Sequence, residues 1–150
     1  MTRAIEIALA LCRQFEGFYP YPYLCSAGVP TIGYGTTYYE DGTRVTLNDP
    51  PITRERAETL LARQLVGIYM AGVLKTSPIL AAYPETLGAL ASFAYNLGVP
   101  RYRASTLRKR IETQDWSGAV VEIRKWNKAA GRVLRGLVRR REAEAEFLGG

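Results

Sequence analysis

The residue pattern of this chain changes character once, between Phe18 and Leu47, and that interruption most constrains the fold. The segment holds six of the ten tyrosines (at 19, 21, 23, 34, 38 and 39), four glycines and the run Thr31-Ile-Gly-Tyr-Gly-Thr-Thr37. Alternation, aromatic residues and the Asp41-Gly42 turn signal predict a small antiparallel sheet of short strands. On both sides the apolar spacing is helical. Upstream, Ile5, Ala8, Leu9 and Cys12 share one face of a helix expected from Thr2, a good N-cap, to Gln14 or Phe15. It stops at Gly17, which suits the left-handed position just past a helix end. Downstream, Asn48-Asp-Pro-Pro51 breaks the chain, and Thr53 with Glu55 in the first turn opens a long helix. Its stripe of Ala57, Leu60, Leu61, Leu65, Ile68, Tyr69 and Val73 keeps helical spacing for about five turns.

After Pro78 the pattern is helical to the end, punctuated at Pro84, Gly98-Val-Pro100 and Gly131. The expected helices cover 86–97, 105–113, 116–127 with Asp115 as N-cap, and 137–147. One small sheet after a first helix, followed by a helical bundle, is an α+β architecture with two unequal lobes. The long helix from Thr53 is the natural bridge, and the cleft between the lobes is where a polymer would lie. There is no repeat, low-complexity tract or linker, so residues 1–150 are expected to form a single domain around one core.

Composition narrows the chemistry. The chain has no histidine and two cysteines, which excludes a Ser-His-Asp triad, a Cys-His pair, a His-containing zinc site and a four-Cys metal site. No metal or other cofactor is expected, so carboxylates or a thiol must carry any catalysis. Charge is lopsided: residues 101–150 carry 13 basic and 6 acidic side chains, against 7 and 8 in the first hundred. Such a half attracts nucleic acid, anionic lipid or the acidic polymers of a bacterial envelope, or simply solvates helix faces. Cys12, in the apolar helical stripe, reads as a buried structural thiol.

Glu16 stands out on physical grounds. A carboxylate at a helix C-terminus faces the negative end of the macrodipole, and Phe15, Phe18 and the tyrosines offer partial desolvation. Both effects favour the protonated form, which a general acid needs to protonate a glycosidic oxygen. A solvated helix-end residue fits the position equally. Nine residues later comes Cys25, and six after that Thr31, at the head of a strand whose two glycines imply a bend or a close approach to the backbone.

Glu16-Gly-Phe, the residue at Glu+9 and Thr31-Ile-Gly-Tyr-Gly35 together resemble the active-site signature of the phage lysozymes of glycoside hydrolase family 24, the T4-type endolysins. That pattern is Glu, eight residues, Asp or Cys, five residues, Thr, and both spacings match with the Cys option. Phe93-Ala-Tyr-Asn-Leu-Gly98, Ser105-Thr-Leu107, Trp126-Asn127 and Gly136-Leu-Val-Arg-Arg-Arg-Glu142 resemble the family's helical-lobe blocks in order, so the likeness covers nearly the whole chain. It implies a lysozyme-like fold that hydrolyses the β-1,4 bond between N-acetylmuramic acid and N-acetylglucosamine in peptidoglycan. It further implies Glu16 as general acid, Cys25 in place of the second catalytic group and Thr31 as a positioner of the attacking water. Asn96 and Arg140 fall at substrate-contacting cleft positions. Tyr34, with Tyr19, Tyr21 and Tyr23, either stacks on sugar rings or packs a small lobe that has few aliphatic residues. Two departures stand out. Thr36 replaces a histidine common in relatives, and the thiol at position 25 leaves three roles open: thiolate base, water-positioning group or nucleophile.

Two rival readings rest on the basic half. One is a nucleic-acid-binding domain, but no helix-turn-helix with base-reading side chains and no aromatic RNA platform accompanies the charge, so nucleic acid is not expected as a partner. The other is membrane disruption by a cationic amphipathic helix over 132–148. The sequence carries no secretory signal, membrane anchor or wall-binding domain. The chain is therefore expected as a monomer held in the host cytoplasm until a phage holin, implied by the resemblance, opens the way to the wall.

Overall fold

The computed structural model describes residues 2–150. Helix α1 spans Thr2–Glu16, with Thr2 as its first helical residue, and ends at Gly17, whose φ of +74° turns the chain sharply. Strands β1 (Tyr19–Leu24) and β2 (Pro30–Gly33) follow as an antiparallel pair, with Tyr23 opposite Thr31. Single bridges, Ile32 to Thr36 and Tyr38 to Arg44, extend the small lobe through the expected Asp41-Gly42 turn.

The bridging helix starts where expected. Thr53 caps α2 (Arg54–Gln64) by accepting from the Arg56 N–H at 3.1 Å. It is not α-helical throughout, because Leu65–Met70 winds as wider π turns before α3 (Ala71–Thr76) resumes. A π turn brings residue i+5 into line with i. The buried stripe therefore runs from Leu65 to Met70 and Val73, while Ile68, expected in the core, is 58% exposed.

A 3-10 turn (Pro78–Ala82) leads into α4 (Pro84–Leu97), whose residues Thr86 to Ala94 are all buried. This helix is the axis of the larger lobe: α1, the π segment and two later helices pack around it. Leu87, Leu90 and Phe93 are completely enclosed, each contributing roughly 1.5–3 kcal/mol. Expected only as a break, Gly98-Val-Pro100 instead opens a short helix, α5 (Val99–Ala104), since proline is compatible with a first turn. Ser105 then caps α6 (Thr106–Glu112) and Asp115 caps α7 (Trp116–Arg124).

The helix expected to reach 127 stops three residues earlier. Lys128–Ala129 (β3) and Arg132–Val133 (β4) form a tiny hairpin over Ala130 and Gly131, both with positive φ. An alanine in that turn hides the usual Asn-Gly or Asp-Gly signal. The last helix, α8, covers Arg135–Ala145, and its buried residues are Arg140, Arg141, Glu144 and Ala145. A buried side built of charges differs from the apolar face of a membrane-seeking amphipathic helix. No helix among the described residues is long and apolar enough to cross a membrane.

Helices α1 and α4 meet at Gly88, where a Cβ would stand 2.6 Å from the Ala4 carbonyl oxygen and 2.9 Å from the Ile7 Cβ. Gly88→Ala is therefore expected to destabilise the protein by about 1–3 kcal/mol despite its gain in helix propensity. Gly67→Ala, with open space around it, should instead be neutral or stabilising by up to about 1 kcal/mol. Urea unfolding of both variants checks the opposite signs; the same sign at both sites would contradict the close helix contact.

Candidate active site

Glu16 is the final residue of α1, so the helix presents its carboxylate at the seam between the lobes. Its side chain keeps 21% exposure and pairs with Arg140 of α8, Nη1 donating to Oε2 at 2.5 Å. Together they line a hollow of about 330 Å³ with Phe15, Asn96, Leu134, Gly136 and Leu137. The Asn96 Oδ1 is buried and has no hydrogen-bond partner among the described residues. That is unusual, because buried polar atoms are otherwise satisfied, and it marks Asn96 as a polar residue at the wall of the hollow.

Arg140 was expected to touch substrate, and its surroundings correct that expectation. The residue is only 3% exposed. Besides Glu16, it reaches the Ser92 carbonyl oxygen (Nη2, 3.2 Å), the Ser92 hydroxyl (3.3 Å), the Cys12 sulfur (3.6 Å) and Glu144 (Nε, 3.4 Å). Its donors are committed inside the protein, and it acts on the Glu16 carboxylate. Burial works to lower the Arg140 pKa, but Glu16, Cys12 and Glu144 outweigh that and leave it raised. Cys12 is wholly buried as expected, and desolvation pushes its thiol up to about 12.

Tyr34 requires a second correction. It is 2% exposed, its ring packs on Phe18 at 5.6 Å, and its hydroxyl accepts from Arg54 at 3.2 Å. No face is free for a sugar. Tyr19 and Tyr21 are exposed, so the aromatic surface that the sequence promised exists on β1 instead. The Tyr34 carbonyl is used as well, accepting from the Tyr95 hydroxyl at 2.7 Å. Next to it, Gly35 lies flat against the site: a Cβ there would sit 3.1 Å from the Tyr95 oxygen and 3.3 Å from Glu16 Oε1, and its φ is +89°. The expected close approach to the backbone is thus the approach of Glu16 itself. Thr36, standing where relatives carry histidine, is fully buried with its hydroxyl unpartnered among the described residues.

Cys25 and Thr31 sit on the small-lobe side, outside the 330 Å³ hollow. Cys25 begins the turn after β1, its N–H donating to the Val29 carbonyl at 3.0 Å. Backbone hydrogen bonds from Val29 and Ala27, joined by the Thr31 hydroxyl, hold the thiol below its usual pKa. The Thr31 hydroxyl also donates to the Val29 carbonyl at 2.8 Å. Tyr23 links the two halves: burial raises its phenol, and Tyr19, Glu16 and Cys25 add to the rise, so it lies within the fields of both candidate groups.

Three participants escaped the sequence reading. Tyr69, on the π segment, packs edge-on against Tyr95 at 5.1 Å, and burial followed by Glu16 raises the pKa of both phenols. Ser92 and Glu144 hold Arg140. Only Glu144 had a visible signal, its i+4 and i+3 spacing from Arg140 and Arg141. A separate hollow of about 540 Å³ between the Tyr38–Gly42 turn and the bridging helix is lined by one carboxylate, Glu40, which pairs with Arg56 at 2.9 Å.

A helical lobe, a small sheet and a carboxylate at their seam define a lysozyme-like glycoside hydrolase. The comparisons agree: the phage lysozyme family model matches residues 13–144. The endolysin of Acyrthosiphon pisum secondary endosymbiont phage 1 is 33% identical, over 93% of this chain and 92% of its own length. A SAR-endolysin of bacteriophage PS119 is 34% identical over 87% of this chain and 74% of its own. Among solved structures, the endolysin of Escherichia coli O157:H7 phage FAHEc1 superposes with a TM-score of 0.80 at 31% identity, covering 94% of this chain and 89% of that one. The chain belongs to the phage lysozyme family.

The two thiols should differ sharply in reactivity. Because the thiolate is the nucleophile, Cys25, with its pKa lowered by hydrogen bonds from the Val29 and Ala27 backbone, reacts more readily than an ordinary thiol, while Cys12, at about 12, stays protonated. Iodoacetamide labelling followed by peptide mapping is expected to find Cys25 modified and Cys12 untouched until the protein is unfolded. Equal labelling in the native protein would contradict the site as described.

Proposed function

We propose that this protein is an endolysin that cleaves the β-1,4 bond between N-acetylmuramic acid and N-acetylglucosamine of peptidoglycan, with Glu16 as general acid. The observation that carries this reading is the Glu16 carboxylate, fixed at the lobe seam by Arg140 yet open to a hollow. In the reaction Glu16 gives its proton to the leaving glycosidic oxygen as the sugar becomes oxocarbenium-like. A water held by Cys25 and Thr31 attacks the opposite face, and its proton passes to the Cys25 sulfur, acting as thiolate base, and from there to solvent. Attack by water rather than by the thiol inverts the anomeric centre. Asn96, which lines the same hollow, contacts the bound sugar through its side-chain amide. Nucleic acid has no role in this reading.

Turbidity of outer-membrane-permeabilised Gram-negative cells tests it. Wild type is expected to clear the suspension, and Glu16→Gln to lose at least about 100-fold in rate, the scale of general acid catalysis. Cys25→Asp should retain activity and Cys25→Ala should lose most of it. Full activity in Glu16→Gln would sink the glycosidase mechanism, and full activity in Cys25→Ala would make position 25 structural.

In the same reading the protein collects as a monomer in the host cytoplasm and reaches the wall through a holin lesion. Cells expressing the full chain alone should then keep their density until chloroform opens the membrane, and the purified chain should elute as a monomer. Spontaneous lysis during expression would replace the holin step with self-directed export.

A further inference from the structure

Behind Glu16 lies a second carboxylate that the reaction as described does not use. Glu144 is completely buried. Its Oε2 accepts from the Ser92 hydroxyl at 2.6 Å and from Arg141 Nη2 at 3.2 Å, and stands 3.4 Å from Arg140 Nε; its Oε1 faces Arg141 Nε at 2.7 Å. Arg141 is anchored in turn by the Trp126 carbonyl at 3.3 Å and by the Phe93 ring, 5.0 Å from its guanidinium carbon. Packing α8 onto α4 does not require this. Buried ionic clusters of this kind are commonly replaced by apolar side chains with no loss of stability.

The geometry of Arg140 gives the cluster a use. Glu144 and Ser92 occupy its Nε side, the Ser92 carbonyl and Cys12 occupy Nη2, and only Nη1 is turned to Glu16. We infer that Glu144, clamped by Arg141 and Ser92, is a positioning residue for catalysis: it fixes the Arg140 guanidinium so that Nη1 holds the Glu16 carboxylate at the hollow. This rests on Glu16 being the general acid. In Glu144→Gln one oxygen becomes an NH2 group, which points a donor at donors, and Arg140 loses the partner that sets its orientation.

A double-mutant cycle on the purified full chain tests the inference, with kcat and KM measured on soluble peptidoglycan fragments below the melting temperature of every variant. Glu144→Gln is expected to lower kcat about tenfold with KM within about twofold, as for a misplaced catalytic group. In an Arg140→Gln background the same change should alter kcat less than about twofold, because its effect passes through Arg140. An equal loss in both backgrounds overturns the inference and leaves Glu144 a role in the fold alone. If Arg140→Gln falls below detection, the side-chain N–H signals of Arg140 decide. They should be sharp and slowly exchanging in the native chain and broadened in folded Glu144→Gln; unchanged signals overturn the inference. If Glu144→Gln does not fold, Ser92→Ala takes its place in the cycle, with an expected loss of severalfold. Glu16→Gln separates the two readings. An inactive Glu16→Gln beside an additive cycle rejects only the role of Glu144, and an active Glu16→Gln rejects the general acid itself.

Discussion

The ion pair between Glu16 and Arg140 ties the end of the first helix to the middle of the last, across 124 residues of sequence. Its guanidinium is buried, and an isolated buried charge is prohibitive. It is tolerated because α4 supplies Ser92 from one side and α8 supplies Glu144 from another. Removing one member of such a set costs about 3–5 kcal/mol, mostly through the charge left behind. The pair also sets where the small lobe begins, because the chain turns at Gly17 immediately after Glu16 and enters β1 two residues later. One interaction therefore closes the helical lobe, orients the Glu16 carboxylate at the hollow and stands where the chain turns into the sheet.

A chain of aromatic contacts fastens the sheet from the other side. Tyr69 on the π segment packs on Tyr95 of α4, and Tyr95 bonds the Tyr34 carbonyl of the small lobe. The π turns matter here because they rotate Tyr69 and Ile68 away from the buried stripe, which continues through Met70. Gly35 is then trapped between the Tyr95 hydroxyl and Glu16, where no side chain fits. The carboxylate is thus bounded by backbone on one face and a guanidinium on another before any substrate arrives. Such preorganisation is the usual source of catalytic power in a site without metal or cofactor.

Much of this architecture was legible because it obeys local rules. The stop at Gly17, the caps at Thr53 and Asp115 and the Asp41-Gly42 turn each follow from residues within a few positions of the feature. The Glu16, Cys25 and Thr31 spacing is equally local, and of the three only Glu16 lines the hollow. The misreadings share a different cause. Ile68 looks apolar and in phase until a π turn shifts the phase, and nothing in Leu65–Met70 announces that turn. Tyr34 looks like its exposed neighbours, yet Phe18 and Arg54, distant in sequence, enclose it. Arg140 was expected to face substrate from a basic helix, because the partners that turn it inward lie on α1 and α4.

That last misreading changes the meaning of the basic half. Of its 13 cations, Arg140 and Arg141 are buried against Glu16 and Glu144, while Arg108, Arg110, Arg124 and Lys125 pair with neighbouring carboxylates. Among the described residues, the remaining seven make no ion pair: Arg101, Arg103, Lys109, Lys128, Arg132, Arg135 and Arg139. Four of these lie on the β3–β4 hairpin and the start of α8, the segment whose Leu134, Gly136 and Leu137 line the hollow beside Glu16. Net charge treats all thirteen alike, yet the buried ones are neutralised inside the fold by Glu16 and Glu144, and the unpaired ones dominate the external field. Concentrated at the mouth of the site, that field acts at short range, since physiological salt screens it within about 8 Å. It favours holding an anionic polymer already in the cleft over attracting one from a distance, which is the requirement of an enzyme working along a fixed wall.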